Sequence, residues 1–334
     1  EVRLLRLAAA VPRKRGADVL GDEAYWKEST IEPEMSGEEA RELKIEVVFV
    51  LDMTRSMQPY IDSTREAVKE LAHSIASDDI KDKVSFGLVG FRDDTRKIAA
   101  LEYTSKNLTP ELVGVETFVK LLEDKAQASL IGSVDYAEEV FAGIETGLGS
   151  AWSEDAIKLL FLVGDASAHE PEHEQSTTGK NAEVLNQLAR TAGVRIFAVH
   201  LQDPKMTSDH AKAAQQYSIL SRFEGADGSA LVEVSTEDRD GFSRIVKSSA
   251  GVVFDTIEKA RQGELTPPAA ADGRDISTDP SATENPGADS MSKLVDSALI
   301  EYLGKDADPP KDLVVWALDR DISNPMLNAM DVRV

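Results

Sequence analysis

The sequence predicts an α/β fold: a doubly wound, mostly parallel sheet flanked by helices, with extensions at both ends. Three observations carry that expectation: four long apolar runs, an acidic residue closing each, and helical spacing in the segments between them. A strand with one wet face alternates apolar and polar residues. Uninterrupted Val, Ile, Leu and Phe therefore point to strands covered on both faces.

The first run, IEVVFVLD at 45–52, closes on Asp52. PYIDSTREAVKELAHSIAS follows and places Ile61, Ala67, Val68, Leu71 and Ile75 on one helical stripe. The second run, VSFGLVGFRDD at 84–94, closes on Arg92, Asp93 and Asp94, which read as a solvated loop with local ion pairs. VDYAEEVFAGIETGL repeats the helical spacing with Val140, Phe141, Ile144 and Leu148. The third run, IKLLFLVGD at 157–165, closes on Asp165, and the fourth, VRIFAVHLQD at 194–203, on Asp203. NAEVLNQLARTAG, SDHAKAAQQYSILSRF and FSRIVKSSAGVVFDTIEKARQG supply further helices. In sheets of this kind ligands bind outside the carboxyl ends of the strands, where these acids fall.

The alternation is assigned to a domain spanning 44–263. Residues 1–43 form an N-terminal extension, polar and irregular except for a strand-like run at 2–7. Residues 264–290 have the Pro, Ala, Asp and Ser content of a linker. The remainder, 291–334, reads as a short helix, SKLVDSALIEYL, then two strands joined by an Asn-Pro turn.

Charge narrows the partners. Sixty Asp and Glu against 37 Lys and Arg give a net charge of -23, which disfavours nucleic-acid backbones and anionic membrane surfaces. With no cysteine, thiolate metal sites and a cysteine nucleophile are excluded. No apolar run reaches the roughly 18 residues a membrane helix needs, so no membrane insertion is expected of this segment. The opening EVRLLRLAAAVPRKRG lacks an initiating Met and the charge order of a signal peptide, so the chain reads as a piece of a longer protein.

AHEPEH at 168–173 contains a literal H-E-x-x-H, the zinc-peptidase string. That motif needs one helix to project both histidines from one face, and Pro171 lies between them. The expectation is that His169 and His173 part company, that no third ligand stands nearby, and that the match is accidental. His73 and His200 read as packed or surface residues. Trp26, Trp152 and Trp316 read as packing residues.

The string that carries chemistry is VVFVLDMTRSMQPYIDSTREAV. Asp52 closes a buried strand, and Thr54 and Ser56 follow at spacings of two and four before a helix begins. One carboxylate and two hydroxyls on a tight loop can converge on a hard cation such as Mg²⁺. Singly, each residue is as well explained as a helix cap.

This D-x-T-x-S pattern resembles the metal-ion-dependent adhesion site (MIDAS) of von Willebrand factor A domains. The resemblance implies an acid after the fourth strand, which LFLVGDASAH supplies as Asp165. It also implies a ligand from the loop before the third helix. The family usually has Thr there; here IGSVDYAEEVFAGI offers Asp135, with Ser133 as the alternative. The implied ligand set is Asp52, Thr54, Ser56, Asp135 and Asp165, holding Mg²⁺ or Mn²⁺, with a protein partner at that face. Three acids around one ion leave it less electron-poor, so the metal is expected to be partly structural and the partner less strictly acidic.

FVLDMTRSMQPYIDSTREAV, VDYAEEVFAGI and VVWALDRDISNP further resemble the C-terminal region of PpkA-type serine/threonine kinases of bacterial type VI secretion. That likeness implies a non-catalytic sensory or docking part on the periplasmic side of an inner-membrane protein, with a cytoplasmic setting as the alternative. No Gly-rich phosphate loop, H-R-D loop or D-F-G motif is visible, so the chain reads as a non-enzyme. The competing readings are a chelatase-like or surface-adhesion A-domain subunit and, further off, a metal-dependent hydrolase using His169 and His173.

Overall fold

The computed structural model describes residues 3–10, 42–74, 81–223, 228–262, 264, 285–304 and 314–321. They fall into two units. The smaller is represented by a two-stranded antiparallel ribbon, β1 (Arg3–Ala10) with the last strand, β8 (Val314–Asp321), in a register running from Arg3 opposite Asp321 to Ala10 opposite Val314. The expected strand at 2–7 is therefore present and longer. The second C-terminal strand and its Asn-Pro turn lie outside the described residues.

The larger unit spans Met35–Tyr302 and holds a six-stranded sheet. Its strands are β2 (Ile45–Asp52), β3 (Val84–Phe91), β4 (Ser105–Asn107), β5 (Ile157–Gly164), β6 (Val194–Gln202) and β7 (Leu231–Ser235). The spatial order is β4-β3-β2-β5-β6-β7, and only the short edge strand β4 runs antiparallel. The other neighbours pair in parallel. The four apolar runs became the four central strands, and every residue of β2 is buried.

Seven helices cover the sheet: α1 (Gln58–Ser74), α2 (Val115–Lys125), α3 (Val140–Leu148), α4 (Ala182–Thr191), α5 (Thr207–Leu220), α6 (Arg239–Gln262) and α7 (Pro286–Gly304). Period-two alternation along β2 sends Val47, Phe49 and Leu51 into one core and Val48 and Val50 into the other. The first core takes Ile61 and Val68 of α1, Phe118 of α2, Phe242 and Phe254 of α6, and Leu294 and Val295 of α7. The second takes Phe141 and Ile144 of α3, Leu185 of α4 and Tyr217 of α5.

Two differences from the sequence reading concern this layer. Helix α7 begins at Pro286, inside the stretch read as linker, and its apolar side joins the main core. Strand β7 (LVEVS) and helix α2 (VETFVKLLEDK) were not anticipated, because one is only five residues long and the other short and highly charged.

Helix α3 is apolar nearly all round, with Val140, Phe141, Ala142, Gly143, Ile144 and Gly147 buried. Its glycines let it lie close on the sheet. A Cβ at Gly143 would stand 2.6 Å from Phe91 Cδ1, and one at Gly147 2.8 Å from Val50 Cγ2. This close seat fixes where the loop leading into α3 meets the strand ends. Among the described residues no helix is long and apolar enough to cross a membrane.

Candidate functional site

Chain order reverses between β2 and β5. Strand β2 is followed in sequence by its neighbour on one side, β3, whereas β5 lies on its other side. Such a switch point opens a crevice at the carboxyl ends, because the two following loops diverge to opposite faces. Asp52 ends β2 and Asp165 follows β5, so both reach this crevice.

The loop after β2 is shaped by its own side chains. Asp52 Oδ1 accepts from the Thr54 amide at 2.7 Å, and Thr54 Oγ1 lies 3.4 Å from Ser56 Oγ. Asp52 and Thr54 are buried, while Ser56 is exposed and marks the opening. Against the rise that burial imposes, Asp165 is near enough for Ser56 and the Asp52 carboxyl both to lower its pKa. Four of the five expected ligands are thus brought together.

The fifth is not. Asp135 is turned toward the histidines: its Oδ1 lies 3.2 Å from His169 Nε2, and its Oδ2 accepts from Gln175 Nε2 at 3.0 Å. The acid of this loop that feels the charges of Asp52 and Asp165 is Glu138. The backbone explains the exchange. Glu138 N donates to Ser167 O at 2.9 Å and Glu139 N to Arg92 O at 3.1 Å, which clamps this pair between the ends of β5 and β3. Asp135 precedes the clamp on the exposed part of the loop. Ser133, the alternative ligand, donates to Glu138 Oε1 at 2.7 Å and orients it.

Arg92, Asp93 and Asp94 depart from expectation: all three are buried, not solvated. Asp93 Oδ1 accepts from the Asp94 amide at 2.7 Å, and its Oδ2 from the Val134 amide at 3.1 Å, tying β3 to the Glu138 loop. Asp94 receives the Arg96 side chain at 2.8 Å, and Arg96 donates onward to the carbonyls of Glu174 and Ser176. Polar residues at a strand end are buried here because three loops pile onto one another.

The electrostatics follow from this crowding. Burial, then the Asp165 charge, hold the Asp52 carboxyl well above the usual carboxylate range, against hydrogen bonds from Thr54. Burial raises Glu138 in the same way, with Asp52, Asp93 and Asp165 adding to it and the Ser133 hydrogen bond opposing it. Burial also raises Asp165, opposed by Ser56 and Asp52. Asp52 Oδ2 and Glu138 Oε2 are buried with no donor on either. Buried carboxylate oxygens are normally satisfied, so these two leave room for a positive charge. Carboxylates and hydroxyls alone make a donor set suited to a hard divalent cation such as Mg²⁺ or Mn²⁺.

Next to this group stands a second one. No helix forms across AHEPEH; two successive turns, His173 N to Glu170 O and Ser176 N to His173 O, fold the loop back. The histidines do not separate. Their rings stack at 4.6 Å with an interplanar angle of 9°. Among the described residues, Asp135, His169 and His173 are grouped with ligand atoms within 4.8 Å of one another. His169 is buried; burial would lower its pKa, but hydrogen bonds from its ring to Glu139 and Asp135 outweigh that and raise it. His200 is packed as expected, its ring against Tyr217 and Nδ1 3.4 Å from Glu233. Trp152 packs beside α3 and donates to Gly147 O at 3.2 Å. The side chains of His73, Trp26 and Trp316 lie outside the described residues.

Loop 126–139 carries one further feature that sequence reading passed over. Leu130, Ile131 and Val134 are exposed, Leu130 at 90%. The loop is nevertheless tethered: Ala128 N donates to Gln58 Oε1 and Ser129 N to Met53 O. Apolar side chains held in water at the rim of a buried acidic group are uncommon on an isolated surface.

No protein-family model matches the sequence. No curated protein matches it either. Among solved structures, the chain is similar to the pilus adhesin SpaC of Lactobacillus rhamnosus GG in its open conformation, at 15% identity and a TM-score of 0.47. It is also similar to proximal thread matrix protein 1 of the mussel byssus, at 16% identity and a TM-score of 0.41. Each likeness covers 64% of this chain, but only 30% of the adhesin and 46% of the thread protein.

Proposed function

We propose that the larger unit is a metal-dependent protein-interaction module that docks its partner at the carboxyl-end face of the sheet. The observation that carries this reading is the pair of donorless buried oxygens, Asp52 Oδ2 and Glu138 Oε2, beside the exposed Leu130, Ile131 and Val134. A divalent cation held by Asp52, Glu138 and Asp165, with the hydroxyls of Thr54 and Ser56, would neutralise the acids. It would leave coordination positions open toward Ser56, the exposed member. A partner offering an oxygen ligand there and an apolar side chain to the rim would contact both. The cation supplies a point of attachment; the chain's own residues position it, and no bond is made or broken.

With three carboxylates near the ion, its pull on a partner carboxylate is weak, so the apolar rim sets much of the preference. The finer assignment rests on the resemblance of FVLDMTRSMQPYIDSTREAV, VDYAEEVFAGI and VVWALDRDISNP to the PpkA-type region. In this reading the chain is the non-catalytic sensory or docking part of a type VI secretion regulatory kinase, on the periplasmic side of the membrane.

Mn²⁺ titration followed by the loss of the free-ion EPR signal tests the premise. One ion per chain is expected in the wild type, with at least tenfold weaker binding in Asp52→Ala. Equal binding in both, or none in either, overturns the reading.

A further inference from the structure

We propose that Asp135, His169 and His173 form a second cation site, built for a borderline divalent ion of the Zn²⁺ class and separate from the all-oxygen group at Asp52. It goes beyond the docking function above and does not depend on it.

The argument starts from tautomers. His169 Nδ1 lies 3.0 Å from Glu139 Oε1, a buried carboxylate that can only accept, so Nδ1 carries a proton. In a neutral ring this leaves Nε2 with its lone pair outward. That lone pair faces Asp135 Oδ1 at 3.2 Å, another acceptor. The Gln175 amide reaches Nε2 only at 3.5 Å while donating to Asp135 Oδ2, so the two lone pairs still call for positive charge between or beside them, either a second ring proton or a cation. In tetrahedral zinc sites, with bonds of about 2.0–2.2 Å, neighbouring ligand atoms stand about 3.3–3.5 Å apart. The separation of 3.2 Å is already close to that edge.

The supports beyond the ligands are those a metal site requires. Metal-binding histidines usually donate their other ring nitrogen to a carboxylate, which fixes tautomer and orientation. Glu139 fills that role, itself held by the Thr177 amide at 3.0 Å and the Thr177 hydroxyl. Asp135 is oriented the same way: Gln175 Nε2 donates to its Oδ2 at 3.0 Å, leaving Oδ1 toward His169. Gln175 is buried, and its Oε1 has no donor, a further unsatisfied oxygen in a residue that touches both ligands. The third ligand, His173, sits on a loop fastened from below by Arg96 through the carbonyls of Glu174 and Ser176. Its exposed ring must turn out of the stack with His169 for a nitrogen to face the ion. Two imidazoles and one carboxylate suit Zn²⁺, Co²⁺ or Ni²⁺ rather than Mg²⁺, and three protein ligands leave a fourth position to water.

The test uses the whole chain with Mg²⁺ at saturation, titrated with Zn²⁺ against a chromophoric chelator, and with Co²⁺ followed by visible absorption. The expected result is one tight Zn²⁺ per chain and the intense Co²⁺ bands of four-coordinate geometry. His173→Ala and Asp135→Asn, both at exposed positions, should weaken Zn²⁺ binding at least tenfold and remove the bands. Asp52→Ala should leave both readouts unchanged. Wild-type affinity in His173→Ala, loss in Asp52→Ala, or an unaltered Co²⁺ spectrum would each overturn the site. The last outcome identifies the group as an imidazolium held between two carboxylates.

Discussion

The Ser133 hydroxyl donates to Glu138 Oε1 at 2.7 Å, while Glu138 Oε2 remains buried without a donor. One oxygen of this carboxylate is thus fixed by the protein, and the other is the one the proposed cation would take. Glu138→Gln separates the two consequences. It removes a charge that Asp52 and Asp165 repel, so the metal-free variant should unfold a few degrees above the wild type. A relief of about 1 kcal/mol corresponds to about 2–4 °C in a domain of this size. Its Mn²⁺ affinity should fall at least tenfold. Thermal unfolding in chelator and in Mn²⁺ gives both numbers.

Acid should act on the metal-free protein in an unusual direction. Asp52 has a folded pKa raised well above 3.8, mainly by burial and then by the Asp165 charge. The folded state therefore holds a proton that the unfolded chain has released. Stability from this group is fully present below the unfolded value and is lost as pH rises through the folded one. In chelator, the wild type should be less stable than Asp52→Asn near pH 8 and should close the gap as pH falls. With Mg²⁺ the trend reverses, because protons compete with the ion. Urea unfolding across pH 5–8 in both conditions checks this; a constant gap would rule it out.

One substitution at two helical glycines should have opposite signs. Gly251 of α6 has open space where a Cβ would stand, so Gly251→Ala should stabilise by about 1 kcal/mol through helix propensity. Gly143 of α3 would place that atom 2.6 Å from a fully buried Phe91 ring. Overpacking of this kind costs about 1–3 kcal/mol and outweighs the propensity gain. Gly143→Ala should lower the unfolding midpoint and, by lifting α3, weaken Mn²⁺ binding as well.

The apolar rim predicts a change confined to docking. Leu130→Ser with Val134→Ser replaces exposed side chains, so stability should move by less than about 0.5 kcal/mol. Mn²⁺ affinity should hold, while recovery of a metal-dependent partner from a lysate of the native host should drop several-fold. Unchanged recovery would place docking elsewhere.

The central strands were legible because a doubly covered strand has no polar face to interrupt it, as IEVVFVLD shows. The placement of Asp52, Thr54, Ser56 and Asp165 at one crevice was legible because strand-to-loop chemistry is local in sequence. Glu138 was not. Its position depends on hydrogen bonds to Ser167 and Arg92, partners from two other strand ends that no spacing rule encodes. The one available hint was an acid pair directly before an all-apolar helix, where loop and sheet must meet. The stacking of His169 on His173 was not legible for a related reason. Pro171 does prevent a helix, yet consecutive turns bring the rings together by another route.

Because β2 and β5 are hydrogen-bonded neighbours at the middle of the sheet, Asp52 and Asp165 stand on a fixed anvil. Separating them would mean tearing the ladder itself. Under the proposed docking function, adjustment to a new target falls to the stretch that carries Ser133 and Glu138. Only its exposed side chains, Leu130, Ile131 and Val134, can be exchanged to alter the proposed grip while the backbone ties to Asp93, Ser167 and Arg92 stay in place.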